Sequence, residues 1–221
     1  ARWIPFDIDE GDLRNRIKNK MIRPTTIPQL LDELKLEQAI AREALRLAFI
    51  QHKQLAVGLK GIAKERTLSD VFSQESDGSL INMMELDLLV GSGGVLSHAP
   101  RRQQSMQMMI DAFQPEGVTR LAVDSIFMMP HLGVLSTVNE TAATEVFEKD
   151  CMIYLGTCVA PRGKGKKGNQ VLSFEIEFQD GRRESGTMNV GDLRHFPLGL
   201  NETAKLRATP AKGWDLGHGS G

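Results

Sequence analysis

The chain of 221 residues has few cysteines, no long apolar run and no excess of either charge. No apolar run reaches the roughly 18 residues that a membrane-spanning helix needs, so no membrane partner is expected. The first ten residues lack the apolar core of a signal peptide, and two cysteines are too few for a disulfide framework; both features predict a cytoplasmic protein. With 27 basic against 28 acidic residues, the chain lacks the strong positive charge of nucleic-acid binders, and no nucleic-acid partner is expected.

What is present is the composition of an ordinary globular protein, with 41% apolar and 25% charged residues. The length suits one large domain or two small ones, at roughly 100–200 residues per domain. Because the chain opens with alanine, we expect it to be a piece of a longer protein.

The first part of the chain predicts helices. A short charged helix is expected over residues 11–20. A long helix is expected over residues 29–57, where strong helix formers recur at helical spacing without proline or glycine. Another helix is expected over residues 140–149, and the serines and glycine within residues 64–80 predict a loop.

A strand, a turn, a helix and a second strand are predicted in the middle of the chain. The apolar runs at residues 86–90 and 118–123 are typical of buried strands. A helix after Pro100 is predicted to turn four apolar side chains inward: Met106, Met109, Ile110 and Phe113. This βαβ order predicts an α/β fold in which the two strands run parallel.

The spacing of apolar residues changes from a helical period to a period of two near Asp150. Residues 153–160 and 171–178 are predicted strands, the second with alternating polar and apolar residues. Asp180-Gly181 predicts a hairpin turn, with a returning strand over residues 187–190. We therefore predict two domains: an α/β domain over residues 1–150 and a smaller β-rich domain over residues 151–221.

The sharpest candidate site is the segment Gly91-Ser92-Gly93-Gly94 between the predicted strand and helix. Glycines allow a tight turn and a close approach of a ligand to the backbone. The start of the helix offers free N–H groups that suit an anion. The pattern favours nucleotide binding and a purely structural turn equally. It is neither a P-loop nor the Rossmann fingerprint, which would need glycine where Leu96 stands.

A basic loop, Gly163-Lys164-Gly165-Lys166-Lys167-Gly168, has glycines at the spacing of a phosphate-binding loop. However, Asn169 and Gln170 stand where such a loop requires Lys and then Ser or Thr. We interpret it as a solvated hairpin loop, with a partner or phosphate contact as the alternative.

Other residues that could carry chemistry give weaker signals. Cys151 and Cys158 have no neighbouring pair of Cys or His at zinc spacing, so no metal site is predicted. Ser97-His98 has the atoms for nucleophilic catalysis but no elbow motif around it. Asp124-Ser125 closes the second strand, where ligands bind in open α/β sheets, and is a candidate pair of polar groups.

Several segments together resemble one protein family: residues 36–44, 86–100, 111–117 and 124–135. The second of these is similar to the adenosine motif of the actin-like ATPase superfamily, which has a ribonuclease H-like fold. More narrowly, the chain resembles the accessory proteins of the cobalamin-dependent glutamate mutase (methylaspartate mutase), called MutL or GlmL and unrelated to DNA mismatch repair. The resemblance covers most of residues 10–220.

This resemblance implies half of an actin-like ATPase core, followed by the β-rich domain. It implies a chaperone-like reactivating ATPase that acts on an adenosylcobalamin-dependent mutase and uses ATP or ADP with Mg²⁺. The segment 91–94 would then lie against the ribose and the α-phosphate, with Ser97 and His98 in the region of the base. The residues on an upstream helix that could grip the adenine are Arg42, Glu43 and Arg46.

One departure from the superfamily is that residues 1–221 contain no Asp-x-Gly-x-Thr phosphate loop. Phosphoryl transfer needs the groups that hold Mg²⁺ and the γ-phosphate. We expect these loops upstream, and little or no ATPase activity from this chain alone. Two alternatives stay open: a non-enzymatic partner-binding module whose glycines are only structural, and a small-molecule enzyme with its crevice near Asp124. A homo-oligomer also stays open.

Overall fold

The structure is a computed structural model that describes residues 2–58 and 81–217. The described residues form a mixed α/β protein with helices and three β-sheets. The chain divides into two compact units. The first consists of Ala1–Ile81, Val90–Gln114 and Ala122–Leu155, and the second of Asn82–Leu89, Pro115–Leu121 and Gly156–Gly221. The predicted domain boundary near residue 150 stays a prediction, and the loop predicted over residues 64–80 lies outside the described residues.

Two helices open the chain, as the sequence predicts. Helix α1 (Glu10–Ile22) begins where the Asp9 carboxylate accepts hydrogen bonds from the N–H groups of Gly11 and Asp12. Helix α2 (Leu31–Gly58) begins where the Glu33 carboxylate accepts from the N–H groups of residues 29 and 30. The first cap satisfies N–H groups of the first helical turn, and the second satisfies those of the two residues just before the helix.

The predicted strand, turn, helix and strand are present, with a short extra helix in the turn. The elements are β1 (Leu88–Gly91), α3 (Gly94–Ser97), α4 (Arg102–Phe113) and β2 (Gly117–Asp124). The strands β1 and β2 are neighbours in a three-stranded sheet of order β1-β2-β3, whose third strand is β3 (Met152–Ala160).

The predicted inward face of α4 is confirmed at Met109 and is displaced by one residue at the other three positions. Its buried residues are Ser105, Met108, Met109 and Ala112, while Met106, Ile110 and Phe113 are half-buried. Ser105 can lie inside because its hydroxyl donates to the Leu96 carbonyl oxygen at 2.6 Å, which removes the penalty for burying it. The half-buried Phe113 packs edge-on against Phe49 of α2, with ring centroids 5.3 Å apart.

Two helices lie between β2 and β3. Helix α5 (Met129–Ser136) was not predicted, although Pro130 in its first turn is a favourable residue there. Helix α6 (Glu140–Val146) confirms the predicted helix, and a π-helical turn at Phe147–Cys151 extends it.

The last part of the chain is rich in β-strands, as predicted. Strand β4 (Arg162–Gly163) pairs antiparallel with β8 (Trp214–Asp215). Strand β5 (Gln170–Phe178) lies between β6 (Arg183–Asn189) and β7 (Ala204–Pro210), antiparallel to both. Its alternation is confirmed, because the buried cluster consists of Leu172, Phe174, Ile176 and Phe178. The returning strand begins four residues before the predicted position 187.

Candidate functional site

The first glycine of the segment 91–94 serves packing. Gly91 is the last residue of β1 and is buried. A Cβ atom at this position would lie 2.9 Å from Leu96 Cδ1 and 2.9 Å from Met109 Sδ. An added Cβ atom would therefore force the ends of these two side chains to shift, so Gly91 contributes to the packing of α3 and α4 against the end of the strand.

The other two glycines border open space. Gly93 has φ 101° and ψ 154°, a conformation that residues with a Cβ rarely adopt. Gly94 is exposed and begins α3. A Cβ atom at either position would meet nothing within 4 Å. The backbone here is accessible to a ligand, and the first N–H groups of α3 have no partner inside this four-residue helix.

The serine between these glycines carries an unsatisfied hydroxyl. Within the described part of the chain, the Ser92 Oγ atom is buried and has no hydrogen-bond partner. A buried polar group without a partner costs about 1–3 kcal/mol. A ligand atom that hydrogen-bonds to this hydroxyl would remove that cost.

Ser97 and His98 lie at the other end of α3 and differ in environment. The Ser97 side chain is buried, and its hydroxyl donates to the Asp124 carbonyl oxygen at 2.5 Å. His98 is exposed. Because the serine hydroxyl is bonded to a backbone carbonyl, the pair lacks the serine–histidine hydrogen bond that nucleophilic catalysis needs.

The carboxylate of Asp124 holds the loop that follows β2. Asp124 is fully buried, and its Oδ2 accepts from the Met129 N–H at 2.9 Å while its Oδ1 accepts from the Ile126 N–H at 3.3 Å. Burial by itself raises the pKa of Asp124, but these backbone hydrogen bonds bring the pKa below its usual value. The Ser125 N–H donates to the Cys151 carbonyl oxygen at 2.8 Å. Both residues therefore shape the loop between β2 and α5.

The three candidate adenine contacts on α2 have partners of their own. Arg42 lies 3.2 Å from an Asp111 carboxylate oxygen of α4. The Glu43 carboxylate accepts from Arg46 at 2.6 Å and from the Trp3 indole at 2.8 Å. These bonds, first that from Arg46, lower the pKa of Glu43 to about 2. Within residues 2–58 and 81–217, no hydrogen bond or ion pair joins the three side chains to the segment 91–94.

The basic loop 163–168 is built around a tryptophan. A Cβ atom on Gly163 would lie 2.5 Å from two ring atoms of Trp214, and one on Gly165 would lie 2.9 Å from the same ring. Asn169 closes the loop by accepting from the Lys166 N–H at 2.9 Å. The geometry favours the structural interpretation, because the glycines make room for a side chain of the protein itself.

Neither cysteine has the surroundings of a reactive thiol. Burial raises the pKa of Cys151, and it raises the pKa of Cys158 to about 11. In the described ranges no group of three His, Cys, Asp or Glu side chains could hold a metal ion. The same ranges contain no helix long and apolar enough to cross a membrane.

Sequence reasoning missed two features of interest. The unsatisfied Ser92 hydroxyl gives no signal in the sequence, because a serine among glycines is equally common in turns that bind nothing. A cleft beside β6, lined by Ser185–Met188 and Gly191–Arg194, was also missed. The sequence shows Arg194, but it does not show that the guanidinium lies beside the Phe174 ring of β5.

The comparisons with known proteins give one match. A family model described as MutL protein matches residues 1–151, which is more than half of the chain. No curated protein and no solved structure matches. The matched range contains α2, the glycine segment and Asp124, the same segments on which the resemblance rests. The chain therefore belongs to the MutL family, the accessory family of glutamate mutase.

Proposed function

We propose that this chain is the nucleotide-binding part of an accessory, reactivating ATPase of the cobalamin-dependent glutamate (methylaspartate) mutase. Membership in the MutL family supports the accessory role. The observation that carries nucleotide binding is the open backbone at Gly93 and Gly94 beside the unsatisfied Ser92 hydroxyl. The proposed fold of residues 1–150 is half of an actin-like ATPase core.

In this proposal the segment 91–94 binds the ribose and the α-phosphate of ATP or ADP. The N–H groups at the start of α3 and the Ser92 hydroxyl donate to oxygen atoms of the ligand. The absence of side chains at Gly93 and Gly94 lets the ligand lie against the backbone. These donors fit a nucleotide, whereas the described residues offer no cluster of metal ligands. No step is therefore assigned to Mg²⁺.

The test is a titration with a fluorescent ADP analogue, comparing wild type with Gly94→Val. We expect binding in the high micromolar range or weaker for wild type, and a further loss of tenfold or more for the variant, about 1.4 kcal/mol. Gly133→Val is the matched control, because Gly133 is also a helical glycine whose Cβ would meet nothing within 4 Å. Equal affinity of the folded Gly94→Val protein would reject the proposal.

A phosphate-release assay tests the proposed lack of turnover by this chain alone. Hydrolysis needs in-line positioning of water and stabilisation of the γ-phosphate, which a single glycine segment does not supply. We expect no turnover above background. Mg²⁺-dependent hydrolysis that is abolished by Asp124→Asn would instead favour a complete active site near the end of β2.

The second candidate function is a non-enzymatic partner-binding module. The packing role of Gly91 against Leu96 and Met109 favours it, since this glycine needs no ligand to explain it. Absence of nucleotide binding in the titration, with an intact complex between the protein and a cobalamin mutase, would support this alternative.

A further inference from the structure

The loop after β6 carries an arginine whose charge has no acidic partner among the described residues. The guanidinium carbon of Arg194 lies 5.3 Å from the ring centroid of Phe174 and 6.0 Å from that of Phe196. The two rings meet edge-on, with centroids 5.4 Å apart. Contacts with aromatic faces orient the planar group, and they leave its N–H donors available to an acceptor.

A glycine in the middle of β6 leaves room for this placement. A Cβ atom on Gly186 would lie 3.1 Å from Arg194 Nη1 and 3.2 Å from Phe174 Cε1. Glycine weakens a strand interior and often marks a close approach of another group. Here the approaching group is the guanidinium, so the sequence of β6 accommodates the arginine at this position.

Beside the arginine lies an open cleft of about 520 Å³. One wall consists of Ser185–Met188, four consecutive residues of β6, and the other consists of Gly191–Arg194. Among the described strands β6 lies at an edge of its sheet, so its alternate residues point backbone N–H and C=O groups away from β5. The cleft therefore combines a free strand edge with a cation.

Arg194 favours an acidic occupant, because its guanidinium is the positive charge of this lining and has no ion pair among the described residues. Ser185 and Thr187 flank Gly186 and therefore lie on the other face of β6 from the one that meets Arg194. Asp192 is the acidic side chain of this lining, and its Oδ2 already accepts from the Asn189 N–H at 2.8 Å and from Asn189 Nδ2 at 3.2 Å. An incoming carboxylate would find a guanidinium without a competing ion pair.

We propose that this cleft binds an extended acidic segment of a protein partner, which adds to the edge of β6 and places a carboxylate on Arg194. Addition of a strand to a sheet edge supplies backbone hydrogen bonds, and a pocket for alternate side chains supplies selectivity. The site shares no residue with the glycine segment 91–94, so it stands independently of nucleotide binding.

The test uses two-dimensional NMR of the isotope-labelled 221-residue chain with three probes. The probes are an acetylated heptapeptide of alternating valine and glutamate, the same peptide with glutamine, and free glutarate. We expect the glutamate peptide to shift the amide signals of residues 185–188 and 191–194. The glutamine peptide and glutarate should each bind at least tenfold more weakly, because one lacks the charge and the other lacks the strand.

Variants identify the arginine as the source of selectivity. Arg194→Gln should lower affinity for the glutamate peptide at least tenfold, with Arg194→Lys intermediate, since lysine keeps the charge without the planar donors. The matched control is Arg207→Gln on the opposite edge strand β7, which removes the same charge and should leave affinity unchanged.

Several outcomes would overturn the proposal. Equal affinity of the folded Arg194→Gln protein would exclude residue 194 as the carboxylate site. Equal affinity for glutarate would mean an anion site without strand addition. Peptide-induced shifts confined to residues outside 183–194 would place the binding elsewhere.

Discussion

Two glycine-rich segments of this chain look alike in sequence and differ in what lies beside their backbone. At residues 163–165 the space is filled, because the Trp214 ring lies where the glycine side chains would begin. At Gly93 and Gly94 the space is open. The number of glycines therefore does not distinguish a ligand loop from a packing turn. The distinction is whether the protein itself occupies the space that the missing side chains leave.

The same contrast holds within the segment 91–94. Gly91 faces Leu96 and Met109, whereas Gly94 faces no atom within 4 Å. Adjacent glycines in one motif can thus have different physical causes, one in the packing of helices on a strand and one in accessibility. Substitutions that add a single methyl group separate these causes.

The largest expected effect is on stability at the filled segment. Gly163→Ala should lower the free energy of unfolding by about 1–3 kcal/mol, because the added Cβ overlaps the Trp214 ring and forces it to move. Gly94→Ala should leave stability unchanged or raise it by up to about 1 kcal/mol, since alanine is the better helix former. Urea unfolding of both variants measures the difference. Equal stabilities would mean that the Trp214 ring can accommodate a Cβ atom at position 163 without a loss of stability.

The next effect has opposite signs for stability and for ligand binding. Ser92→Ala should raise the free energy of unfolding by up to about 1 kcal/mol, because it removes a buried hydroxyl without a partner. The same change should weaken binding of the ADP analogue about fivefold, which corresponds to one hydrogen bond of about 1 kcal/mol. Ser136→Ala is the control, since that exposed hydroxyl already donates to the Gly133 carbonyl oxygen. A Ser92→Ala protein that is less stable than wild type would show that the hydroxyl has an internal partner.

The sequence predicts the elements of this fold better than their faces. Periodicity locates α2 and β5 because a long amphipathic or alternating pattern has one interpretation. It misplaces the buried face of α4, because burial of Ser105 depends on the Leu96 carbonyl oxygen that the turn brings to it. It misses α5 because a segment of eight residues is too short for its period to stand out.

The candidate site is predictable as a segment and not as an arrangement. Glycines between a strand and a helix identify residues 91–94, but only the fold distinguishes the packed Gly91 from the open Gly94. Arg42, Glu43 and Arg46 were assigned by their position on a helix. Arg42 and Glu43 form ion pairs with residues of α4 and the N-terminal segment, and these depend on tertiary packing that local pattern does not specify. The pair between Arg46 and Glu43 is three residues apart on one helix, a spacing that the sequence does show.

The smallest expected effect is on the pH dependence of stability and concerns Glu43. It distinguishes residues that form ion pairs within the protein from residues that are accessible to a ligand. The Glu43 pKa is lowered from 4.5 to about 2, chiefly by the hydrogen bond from Arg46 and then by that from Trp3. A carboxylate whose pKa is depressed in the folded state stabilises the protein above its unfolded pKa. That contribution is fully present above about pH 4.5 and is lost as the pH falls toward 2.

The size of this contribution is small because the Glu43 side chain is 37% exposed, and screening by water limits such a pair to below about 1 kcal/mol. Glu43→Gln should therefore be slightly less stable than wild type at pH 7, and this difference in stability should narrow as the pH falls from 4.5 toward 2. Urea midpoints of both proteins across this range measure it. If the difference in stability between the two proteins stayed constant with pH, it would come from a change in packing and not from the loss of the charge. If Glu43→Gln kept its stability at pH 7 but lost nucleotide affinity, the carboxylate would belong to the ligand site and not to an internal pair.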